Sequence, residues 1–141
     1  MTTTIPFGPQ LVGETEKTLN ALLRVALQGT GLTEAQWVAL RVAALTGGST
    51  SAEELALVVG DRAHFADAAE LVRALDERGL IADGHVTAAG HETLESVLAR
   101  SAALTGPIWE GFAPADLEAA TLVLNELRTR ARAVLGSAAV S

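Results

Sequence analysis

The block from Gly31 to Gly90 most constrains the fold, because helix-forming segments follow one another there at short spacing and end in an Asp-Gly turn. Thr33 and Gln36 form a capping pair ahead of Trp37, Val38, Leu40, Val42, Ala44 and Leu45. A helix starting at that cap is apolar on most sides and is expected to be buried. Gly47-Gly48 stops it. Ser51 with Glu54 caps a short third helix read through Val59, and Gly60-Asp61 reads as a turn. A fourth helix, from about His64 to Arg78, carries Phe65, Ala68, Val72 and Leu75 on one stripe and stops at Gly79. Ile81-Ala82-Asp83-Gly84-His85-Val86 follows. Asp-Gly between short apolar segments signals a two-residue hairpin, since both turn residues must take positive φ.

Longer helices flank this block. Leu11, Val12, Leu19, Leu22, Leu23 and Ala26 recur at helical spacing from about Pro9 to Gln28, behind an arm over residues 1–7 that is expected to be extended. After the hairpin, Ala88 to about Ala103 is helical, with Leu94, Val97, Leu98 and Leu104 on one side, and Gly106-Pro107 interrupts it. Pro114 opens a last helix whose stripe of Leu117, Ala120, Leu124, Leu127, Ala131 and Val134 reaches Leu135, and the tail GSAAVS is expected to fray. The first and last helices carry more apolar surface than a domain of this size can cover alone. A two-fold dimer that packs them on each other would bury it.

Composition narrows the function classes. At 141 residues the chain is read as one domain, with a hydrophobic fraction of 49% drawn largely from alanine. It has no cysteine, so disulfides, thiolate metal sites and thiol catalysis are excluded. No apolar run approaches the roughly 18 residues of a membrane span, and the N-terminus lacks a basic stretch leading into an apolar one, so a cytoplasmic protein without membrane contact is expected. The net charge of −7 argues against non-specific nucleic-acid affinity.

The order of elements is that of a winged helix-turn-helix. With GLTEAQW at 31–37, AEELALVV at 52–59, LVRALDERGLI at 71–81, VTAAG at 86–90 and the closing helix from Pro114, the chain resembles the MarR family of bacterial transcriptional regulators over almost its whole length. The resemblance implies a mainly α fold: one domain over 1–141, a winged helix-turn-helix lobe at 33–90, a minimal β-hairpin wing, and dimerisation helices at 8–28 and 105–135. It also implies a homodimer, binding to duplex DNA, and a small anionic aromatic ligand that weakens that binding.

Two features depart from the family pattern. A recognition helix presents hydroxyls, amides and arginine to the major groove. Here the outward positions are Ala66, Asp67, Ala69 and Glu70, and the wing shrinks to Ala82-Asp83-Gly84-His85. Residues 50–90 hold eight acids against Arg62, Arg73 and Arg78, a net charge of −5. The candidate DNA-facing residues are Arg62, His64, Asp67, Glu70, Arg73 and His85. Weak or atypical contacts are expected from such a set.

Trp37, Arg41 one turn later and Trp109 are the candidate ligand residues, an aromatic wall beside a cation able to pair with a carboxylate. The same tryptophans could instead fill core gaps while Arg41 pairs with a glutamate. His85, His91 and Glu95 allow a divalent site to be drawn, but no tight ligand cluster supports it, and neither a metal nor a cofactor is expected. No nucleophile elbow and no phosphate-cradling glycine loop is present, so the chain reads as a non-enzyme. Three functions stay open: a ligand-responsive regulator, a protein of the same fold that has lost DNA binding and serves as a small-molecule binder or recruited enzyme, and a partner of a DNA-competent relative.

Overall fold

The computed structural model describes residues 4–140, which are mainly helical with one short antiparallel hairpin. Of the arm expected over 1–7, residues 1–3 lie outside the described residues; 4–6 have no regular structure and 7–8 form a turn. The chain divides into two compact units, one through Gly106 and one from Pro107.

In the first unit, helix α1 spans Pro9–Leu27, with proline at its start where no backbone N–H is needed. Helix α2, Glu34–Leu45, begins with the full capping box: the Thr33 side chain accepts from the Gln36 N–H, and the Gln36 side chain accepts from the Thr33 N–H. Trp37, Ala39, Leu40, Val42 and Ala43 are buried, as an all-round apolar helix requires. Helix α3, Ala52–Ala63, is capped by Ser51. It runs straight through Gly60-Asp61, which the sequence marks as a turn. Glycine in a helix costs only about 1 kcal/mol, and packing outweighs that here: the Val59 side chain beside it is fully buried.

The break comes later, at His64, whose φ of 59° is left-handed. Helix α4 is therefore Ala68–Glu77 and shorter than its sequence pattern suggests. Its stripe of Ala68, Leu71, Val72 and Leu75 is buried, while Phe65 is half-buried in the preceding turn. Strands β1, Ile81–Ala82, and β2, His85–Val86, pair antiparallel with Ile81 opposite Val86 and Ala82 opposite His85. Asp83 and Gly84 take φ of 51° and 81°, the type I′ geometry that matches strand twist. Helix α5, Ala88–Thr105, is capped by Thr87 and packs along α1.

Helix α2 is the hub, in contact with α1, α3, α4, α5 and β2. Leu40, Leu55, Val59, Val72, Leu75, Ile81 and Val97 are sealed from solvent around it. Each such side chain contributes about 1.5–3 kcal/mol through burial.

The second unit holds a 3-10 turn, Gly106–Trp109, and helix α6, Pro114–Val140. The helix passes Leu135 and takes in most of the tail expected to fray. Alanine-rich sequence beyond Gly136 favours helix enough to carry it.

Candidate nucleic-acid interface

Burying one stripe of α4 fixes what its other side shows. Ala69, Glu70, Arg73, Asp76 and Glu77 are exposed. Ala66 and Asp67 are exposed too, but they lie in the turn before α4 and not on the helix, because the left-handed His64 delays the helix start. Asp67 sits at the N-cap without a side-chain cap hydrogen bond, and Glu70 is in the first turn. Both carboxylates thus occupy the positive end of the helix dipole, the place where a phosphate would otherwise be attracted.

The cations are sparse. Arg62 is exposed in the last turn of α3 and Arg73 is exposed midway along α4, and among the described residues neither has an ion-pair partner. Arg73 nevertheless lines a groove of about 220 Å³ together with Glu53, Asp76 and Glu77, so three carboxylates surround its one positive charge. Glu53 was not among the residues the sequence picked out; it joins the group only because α3 packs on α4. His64 is exposed at its left-handed position.

The hairpin is held close to the body. The Ser49 N–H donates to the Gly84 carbonyl at 2.8 Å, and a Cβ on Gly84 would lie 2.5 Å from the Ser49 carbonyl oxygen. The His85 ring covers Gly48, where a Cβ would come within 2.4 Å of it, and His85 Nδ1 donates to the Asp83 carbonyl at 3.1 Å. A hairpin this short and this pinned places one exposed imidazole, His85, beside Asp83.

Of the candidate ligand residues, Trp37 is only 6% exposed and belongs to the core, and Arg41 is half-buried with no ion-pair partner among the described residues. Trp109 belongs to the second unit, where it is exposed. An open groove of about 690 Å³ runs past the start of α2, floored by Leu27, Leu32 and Ala35 and edged by the Arg24–Glu34 ion pair. Trp37 and Arg41 do not line it. His85 and His91 share a small pocket of about 110 Å³ beside Gly47 and Gly48, and among the described residues no three metal-ligating side chains are grouped.

Two arginines outside every sequence motif hold the α1–α2 loop. Arg78 Nη2 donates to the Thr30 carbonyl at 2.7 Å, and Arg100 Nη1 donates to the Gln28 carbonyl at 2.8 Å. Partners so far apart in sequence leave no local signal. No family model matches the chain, and no curated protein matches it. No described helix is long and apolar enough to cross a membrane.

Proposed function

We propose that the chain is a homodimeric, MarR-like winged helix-turn-helix regulator of the cytoplasm that answers a small anionic aromatic ligand and holds DNA weakly. The observation that carries this reading is the succession of α2, α3, α4 and an Asp-Gly hairpin around one core, with the N-terminal half of α4 exposed and its back buried. That is the arrangement by which a helix can enter a major groove. Support for the ligand is more modest: Arg41 is half-buried and without an ion-pair partner among the described residues, one turn from Trp37.

The acidic groove around Arg73 favours a second reading. In it the fold has given up DNA and serves as a small-molecule binder or recruited enzyme. Duplex binding separates the two. Fluorescence anisotropy at 150 mM salt should show affinity for random sequence weaker than the ~10⁻⁴–10⁻⁶ M of ordinary non-specific binders. Selection from a randomised duplex pool should still yield one preferred site. Asp67→Asn with Glu70→Gln should tighten binding, since an amide can donate to phosphate where a carboxylate repels it. No enriched site, with no gain from the double variant, would leave the second reading standing. Sub-micromolar binding to mixed sequence would contradict both.

A further inference from the structure

The apolar side of α6 has a regular seam and a charge gradient, and together these specify how it can be covered. Leu117, Leu124 and Ala131 recur every seventh residue, with Ala120, Leu127 and Val134 between them at the alternate spacing of a coiled-coil seam. All six are exposed within this chain. Charge is distributed unevenly along the same helix: Asp116 and Glu118 stand near its start, Arg128, Arg130 and Arg132 in its later half.

We propose that α6 pairs antiparallel with α6 of a second copy, setting Leu117 against Val134, Ala120 against Ala131 and Leu124 against Leu127. This rests on the dimeric reading above and adds its orientation and register. The register matches large residues with large and small with small, which lets the two backbones keep an even separation. It uses the seam over most of the helix. It also brings the acidic first turns of one copy level with the turns just beyond Arg132 of the other, within about the 10 Å over which charges act at ordinary ionic strength. A parallel pair would instead stack the three arginines of one helix beside the same three of the next. Sliding the antiparallel pair by one heptad would set Ala120 against Leu124 and strand Val134 beyond the partner's seam.

The absence of cysteine makes the test direct. A variant carrying Ala120→Cys and Ala131→Cys, oxidised mildly and run on a non-reducing gel, should convert to a covalent dimer. Neither single variant should do so. Within one helix the two sites are eleven residues apart, about 16 Å at 1.5 Å per residue, too far for an internal disulfide. Cross-linking of each single variant to itself would mean a parallel pair and overturn the proposal. A double variant that stays uncross-linked while the unaltered chain sediments as a dimer would overturn this register and leave the dimer intact. Sedimentation of the unaltered chain as a monomer would overturn both. Duplex binding is scored separately, so loss of this pairing does not decide the regulator reading.

Discussion

Replacing Gly84 by alanine probes the closest contact of the hairpin, and its cost can be worked from the structure. Gly84 has φ of 81°, where an L side chain costs roughly 1–2 kcal/mol. Its Cβ would also meet the Ser49 carbonyl oxygen at 2.5 Å and the Ser51 carbonyl oxygen at 2.7 Å. Both are backbone atoms and cannot swing aside, so the hairpin must lift off the α2–α3 loop and strain the Ser49–Gly84 hydrogen bond. Overpacking of this kind costs about 1–3 kcal/mol. Together the two effects come to about 2–5 kcal/mol. At roughly 4–8 °C per kcal/mol for a domain of about this size, the melting temperature should fall by at least about 10 °C. Gly79 supplies the control, because its φ of 75° is similar but nothing lies within 4 Å of its would-be Cβ. Gly79→Ala should therefore show the backbone cost alone. Thermal melts followed by far-UV circular dichroism would measure both. If the two variants melt within about 3 °C of each other, the docking of the hairpin on this loop is not what the geometry implies.

Leu75 is fully sealed where α4 meets the core, and Leu75→Ala should cost about 2.7–5 kcal/mol in urea unfolding of the intact chain; a loss under 1 kcal/mol would mean that the site collapses around the cavity. Thr33→Ala removes half of the α2 capping box and should cost about 1 kcal/mol, while Thr33→Ser should be nearly silent. Aromatic carboxylates should quench tryptophan fluorescence, and Arg41→Ala should weaken that response by about the 1.5–3 kcal/mol of a hydrogen bond to a charged group. Unchanged titration of the Arg41 variant would remove that residue from the ligand site.

What the sequence reveals here is what acts over a few residues. Thr33 reaches Gln36 and Ser51 reaches Glu54 within one turn, so a single local pattern places both helix starts. Asp83-Gly84 carries its own turn geometry in the same way. Gly60 misleads because glycine marks turns on average, while the packing that keeps it helical comes from residues outside its neighbourhood. The turn from His64 to Asp67 is hidden for the opposite reason. Nothing in His-Phe-Ala-Asp forbids a helix, and only the folded arrangement puts His64 in the left-handed region. For the candidate interface, the poverty of cations is readable by counting. The placement of Glu53 beside Arg73 is not, because it depends on how α3 packs on α4.

Helix α1 is buried only at its C-terminal end, at Ala26 and Leu27, and its loop is fastened by side chains from α4's C-terminal cap and from α5. Docking it closes a loop of most of the first unit, and the entropy of that closure is met only once the later elements stand. Assembly order and sequence order therefore run in opposite directions here: the first helix to leave the ribosome is among the last to be secured. Amide exchange along α1 should record this as a gradient, fast over its early turns and slow where Ala26 and Leu27 enter the core.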